Sequence, residues 1–137
     1  LIKKIILAQK ELPKAQVIVM GDFNDDPESL SIKTLSDSIP VLHNPYKRLA
    51  KMGVHSLVYR DARNLFDQII LSGDFLEEGN TALRLESAKI FNPPELTLPD
   101  GRFKGYPFRS YSFTNYTGGF SDHYPAYLIL SVTNFEQ

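Results

Sequence analysis

The sequence predicts an α/β (α+β) layered sandwich: a mixed, largely antiparallel sheet with helices on one face. Three observations lead there. An amphipathic helical pattern at 1–12 is followed closely by the β-branched run Val17-Ile18-Val19-Met20, and a helix start follows at Asp26-Pro27-Glu28. The second half then changes grammar, to short strand candidates separated by polar turns and proline-rich loops. A chain of 137 residues, 42% apolar, has material for one core, so 1–137 reads as one unit.

In the first element, Leu1, Ile5, Ala8 and Leu12 recur at spacings of three and four, with Ile2 and Ile6 beside them. The pattern stops before Pro13. The run 17–20, bounded by Gly21, suits a strand covered on both faces. Asp26 is placed to cap the next helix, with Pro27 at its first position and Glu28 in its first turn, so that helix is expected over 27–35. "SLVYR" and "FDQIILS" are expected to pair as a hairpin across the turn "DARN". "TALRLESAKIF" reads as a further strand, although its Ala, Leu and Glu also suit a helix. "NPPELTLPDG" is a loop, and "AYLILSV" closes the chain as a strand dense enough in apolar residues for a central position.

Fifteen basic and sixteen acidic residues give a net charge of -1, so no global positive field gathers nucleic acid. Long polyanions are disfavoured, and a local basic patch stays open. With no cysteine, a disulfide framework and a thiolate metal site are excluded. No apolar run reaches the roughly 20 residues of a membrane-spanning helix. The chain opens at Leu1 without an initiator methionine or a signal sequence, which suggests a fragment of a longer protein.

The strand 17–20 runs directly into Asp22, Asn24, Asp25, Asp26 and Glu28. Asp22 and Asn24 lie two apart, so extended backbone would send both side chains to one face while Phe23 turns into the core. Such strand-end rims are where open α/β sheets hold ligands. Carboxylate and amide oxygens suit a hard cation or an attacking water. A polar turn plus a helix cap explains the same residues more plainly. A calcium loop does not, because Pro27 stands at its glycine and Lys33 at its last glutamate. Two further elements bear on the choice: Asp67 inside an apolar strand, and Asp122-His123 just before the final one. A buried carboxylate needs a partner, and an imidazole N–H is a suitable one.

Gly21-Asp22-Phe23-Asn24 at a strand end, then Asp67 in an apolar strand, then Ser121-Asp122-His123 before the last strand resembles the endonuclease/exonuclease/phosphatase (DNase I-like) superfamily over residues 17–130. The segments "NLFDQIILSG" and "KGYPFRSYSFTNYTGGFSDHYPAYLIL" are most similar to bacterial, often secreted members. A secreted or periplasmic location is one reading; the sequence itself assigns no compartment. The resemblance implies hydrolysis of a phosphate ester with Mg²⁺ or Mn²⁺. It assigns Asp22 to the attacking water, Asn24 to a phosphoryl oxygen, and Asp122 to the metal site, with Asp22 and Asn24 as further candidate ligands. His123 would stabilise charge developing on phosphorus, with Asp67 fixing its tautomer.

The resemblance also implies that 1–137 is the C-terminal half of a four-layer fold. The principal metal glutamate would then lie in the other half, because Glu11, Glu28, Glu77, Glu78, Glu86, Glu95 and Glu136 are in the wrong motif order for it. The sheet face that packs on that half would be unusually apolar and prone to self-association, and this chain alone would be nearly inactive. For substrate contacts, Arg109 and Tyr111 stand in an aromatic and basic stretch that also suits an ordinary hairpin. Nuclease, sugar-phosphate phosphatase and phospholipase readings all remain, with a non-catalytic binding or scaffold protein as the alternative from another class.

Overall fold

The computed structural model describes residues 1–13, 15–38, 42–76 and 83–132. Helix α1 (Ile2–Glu11) leads into strand β1 (Ile18–Asp22), helix α2 (Leu30–Ser38), the short strand β2 (Leu42–His43) and helix α3 (Tyr46–Lys51). Strands β3 (Leu57–Tyr59), β4 (Ala62–Asn64), β5 (Asp67–Ser72) and β6 (Leu83–Ile90) follow, then the small hairpin β7 (Tyr111–Ser112) and β8 (Asn115–Tyr116), and finally β9 (Ala126–Val132). Among the described residues β1, β5 and β2 form one sheet, while β3–β4, β6–β9 and β7–β8 form two-stranded ones. Every one of these pairings is antiparallel. This is the expected mixed α/β arrangement with antiparallel sheets and few helices, consistent with part of a DNase I-like fold.

The core forms where alternation puts apolar residues on one face of β1 and β5. Val19 and Ile70 lie opposite each other across the ladder, and Ile5 of α1 with Ile32 and Leu35 of α2 close over them. Burying each such side chain contributes about 1.5–3 kcal/mol. The next residues along β1 face the other way: Ile18 is 43% and Met20 72% exposed. The run 17–20 is therefore covered on one face only, against the expectation of two.

Four further local expectations are corrected. α1 meets the core through Ile2 and Ile5, leaving Leu1, Ala8 and Leu12 of the expected stripe exposed. α2 begins at Leu30 because Asp26 is occupied elsewhere: its Oδ1 accepts the Leu65 N–H at 2.6 Å, and its carbonyl closes a turn onto Ser29 N–H at 2.9 Å. β3 pairs with β4 rather than with β5, so most of the expected turn "DARN" is itself strand. Arg60 and Asp61 make the reversal with φ of +49° and +67°, the left-handed pair of a type I′ turn. β5 is thereby left to pair with β1 and β2. β9 pairs with β6 alone among the described residues, so it is not central. The strand expected at 81–91 is seen as β6; Thr81 and Ala82 lie outside the described residues, as do Glu77, Glu78 and Glu136.

The segment before His123 is fixed by close backbone approach. Phe120 N–H donates to Phe108 carbonyl at 2.6 Å, and Ser110 Oγ donates to Phe120 carbonyl at 2.7 Å. A Cβ on Gly119 would collide with the carbonyl oxygens of Phe108 and Arg109. Both obstacles are backbone, so Gly119→Ala is expected to destabilise the fold by about 1–3 kcal/mol, measured by urea unfolding. An unchanged midpoint would mean that the 108–120 packing is looser than described.

Candidate active site

β1 ends and β5 begins at the same rim, and their register sets two acidic residues opposite each other: Asp22 is the ladder partner of Asp67. Phe23 N–H donates to Phe66 carbonyl at 3.0 Å and Ser72 N–H to Val17 carbonyl at 2.9 Å, so the odd-numbered β1 positions form the hydrogen-bonded pairs. Asp22 and Asp67 thus form a narrow pair, with Cα atoms about 4.5 Å apart and side chains at their closest. Like charges set opposite each other are destabilising. One of the two, Asp67, meets His123. Its Nδ1 lies 2.7 Å from Asp67 Oδ2, with both side chains about one-quarter exposed. A carboxylate only accepts, so Nδ1 carries the hydrogen and Nε2 is the nitrogen left for a ligand.

Asn24 departs from the extended geometry expected of it. Its φ is +52°, and its N–H donates to Asp22 Oδ1 at 2.8 Å. The strand has ended at Asp22, and an Asx turn replaces the shared face. Phe23 still packs against the core. Asp122 is exposed one residue before His123. Arg109 lines a groove whose walls include none of Asp22, Asn24, Asp67 or His123. Tyr111 is exposed on the β7–β8 hairpin, its ring against Tyr116, and is not part of that groove wall. The structure therefore brings Asp22, Asp67 and His123 together with Asn24 one turn away, and sets Arg109 and Tyr111 apart from them.

Sequence reasoning missed the residues that hold the pair. Ser56 is fully buried; its Oγ accepts the N–H groups of Phe66 and Asp67 at 3.2 Å each. Its carbonyl accepts Tyr124 N–H at 2.6 Å, and the next residue, Leu57, bridges to His123. One serine thus ties together the segments that carry both partners. Nothing in "HSLVY" signals this role. Gln68 was legible by the same sign as Asp67, a polar residue in an apolar strand. It is 1% exposed and donates to the carbonyls of Asp25 and Leu65 at 2.7 and 3.0 Å, while accepting from Asn44 Nδ2 at 2.7 Å. Tyr46, also fully buried, donates its hydroxyl to Tyr127 carbonyl at 3.0 Å. Burial pushes that hydroxyl well above its ordinary pKa and the nearby Asp67 carboxylate adds to the shift, so Tyr46 stays protonated.

The model for the Endonuclease/Exonuclease/phosphatase family matches residues 2–132, which is nearly the whole chain. The chain belongs to the endonuclease/exonuclease/phosphatase family. No curated protein matches it. Members of the endonuclease/exonuclease/phosphatase family are generally hydrolases acting on phosphoester bonds, and they generally depend on a divalent metal ion. Among the described residues no three His, Asp or Glu side chains converge to hold a cation. Asp22, Asn24 and Asp122 are oxygen donors without an assembled ligand shell, so the described residues do not by themselves fit a family metal centre. Among the described residues no helix is long and apolar enough to cross a membrane.

Next to Ser56, His55 shows how the site's neighbourhood responds to acid. Its Nε2 is buried without a hydrogen-bond partner among the described residues. Burial lowers its pKa, partly offset by the Gly53 carbonyl, and Arg63 lowers it further. The unfolded state then binds the proton more readily, so stability falls as pH drops through about 6.5 towards the lower folded value. His55→Leu is expected to flatten the decline in Tm between pH 7.5 and 5.5. An unchanged slope would place the acid sensitivity elsewhere.

Proposed function

We propose that this chain carries the histidine–aspartate part of a metal-dependent phosphoesterase, which cleaves a phosphomonoester or phosphodiester by in-line attack of water. The observation that supports it most is the 2.7 Å pair of His123 and Asp67, opposite Asp22 at a strand-end rim. In this reading Asp67 accepts from Nδ1–H of His123, fixes the ring and supports its imidazolium form, whose Nε2–H stabilises charge on a phosphoryl oxygen. Asp22 orients the attacking water and takes its proton. Asn24 contacts a phosphoryl oxygen, and Arg109 and Tyr111 meet outer parts of the substrate.

Mg²⁺ or Mn²⁺ would neutralise phosphoryl charge, with Asp122, Asp22 and Asn24 as candidate ligands and the main glutamate in a preceding half of a longer chain. The 137 residues alone are then nearly inactive. The test compares this chain with any longer natural chain that contains it, on bis-p-nitrophenyl phosphate, p-nitrophenyl phosphate, abasic DNA and sphingomyelin, each with Mg²⁺ and with chelator. Metal-dependent turnover by the longer chain is the expected result. Robust turnover by the 137 residues would remove the half-site idea. A longer chain inert under all conditions would favour a non-catalytic binding protein, a reading that draws its support from the unassembled ligand shell.

A further inference from the structure

Outside the dyad, a groove lies between the β3–β4 turn and the 98–117 segment, with a cavity volume of about 590 Å³. That is the size range of small-molecule sites. Its wall carries three guanidinium groups, Arg60, Arg102 and Arg109, and one carboxylate, Asp61. Asp61 is already engaged, because it accepts the Tyr106 hydroxyl. The groove is therefore electropositive in a chain whose net charge is -1. Two of the arginines are stacked on rings in the same wall: Arg60 lies 5.2 Å from the Tyr59 centroid, and Arg102 lies 5.5 Å from that of Phe103.

Phe113 adds an independent observation. It is 100% exposed, lines the groove, and has φ +54° at the first position of the two-residue β7–β8 loop. Such loops favour glycine there, and a bulky residue in the left-handed region is held at a cost, with no burial of the ring to offset it. A flat hydrophobic face presented at a strained position, beside stacked guanidinium groups, is suited to a planar ring next to an anion.

We infer that this groove binds a nucleobase carrying a phosphate, the ring-bearing part of the substrate of the phosphoesterase proposed above, on which the inference rests. β3 links groove and dyad, since Leu57 bridges to His123 and the next residue, Val58, lines the groove. A lipid chain would gain nothing from three guanidinium groups, and a long nucleic acid would require a wider positive surface than this chain offers.

The test is calorimetric titration of the 137-residue chain with adenosine monophosphate, adenosine, glycerol 3-phosphate and inorganic phosphate. Adenosine monophosphate is expected to bind most tightly. Phe113→Gly should weaken it about tenfold, the loss of one stacking face. The same change should leave Tm equal or higher, because glycine accepts the φ. Arg109→Gln should erase the preference for the phosphate over adenosine. Equal binding of glycerol 3-phosphate, no binding of adenosine monophosphate, or an unaltered affinity in Phe113→Gly would overturn the inference. Phosphoester hydrolysis by a longer chain without nucleotide preference would also overturn it while leaving the hydrolase reading intact. Nucleotide binding that persists when no chain containing these residues hydrolyses a phosphoester would support the groove and refute the hydrolase.

Discussion

His123→Ala is expected to lower metal-dependent hydrolysis by about a hundred- to thousandfold in whichever natural chain containing these residues is active, the usual loss on removing one preorganised donor to a developing oxyanion. The reasoning follows the charge. Attack of water loads negative charge onto the phosphoryl oxygens, and Nε2 of His123 is the nitrogen that the Asp67 contact leaves available. The ring is already fixed by a 2.7 Å bond, so no reorganisation precedes the reaction. Asp67→Asn should reduce the rate as well, since a neutral amide no longer supports the imidazolium whose Nε2–H would meet the phosphoryl oxygen. Ser56→Ala should act more weakly and through position: it removes the acceptor for the Asp67 N–H while the His123 side chain stays intact. The measurement is kcat and KM on one substrate, with circular dichroism to show that each variant folds. A His123→Ala protein of undiminished kcat would end the catalytic assignment.

Gln68→Leu is expected to cost about 3 kcal/mol or more in stability, measured by urea unfolding. The swap keeps the volume and removes three hydrogen bonds at once. It leaves Asn44 Nδ2 and the carbonyls of Asp25 and Leu65 without their partner, and Asn44 is only 4% exposed. Each buried group left unsatisfied costs about 1–3 kcal/mol. The effect should extend beyond stability, because the Asp25 contact ties the acidic turn after Asp22 to β5. Proteolytic cleavage at 24–30 should therefore become faster than elsewhere in the chain. A loss under 1 kcal/mol with unchanged cleavage would mean that the turn is held by Asp26 and Ser31 instead, through their bonds to Leu65 and Asp25.

What the sequence determined by itself is whatever depends on near neighbours and on chemical type. The first helix, the strand after it and the final strand follow from hydrophobic spacing. The pairing of Asp67 with His123, fifty-six positions apart, was implied by the family resemblance together with the need of a carboxylate in an apolar strand for a donor. What only the tertiary structure decided is whatever rests on a distant partner. Asp26 is a good helix cap in isolation, yet Leu65, thirty-nine positions away, offers it a backbone N–H, and α2 starts later as a result. β3 was expected to pair with β5, but the left-handed Arg60-Asp61 reversal turned it onto β4, which left β5 for β1 and set Asp22 opposite Asp67. Ser56 has no local signature at all: its function lies in accepting two N–H groups from β5's approach and one from the segment of His123. Periodicity records which side of an element is apolar, whereas hydrogen bonds between segments far apart in the chain depend on how the elements dock, and docking fixed the geometry of this site.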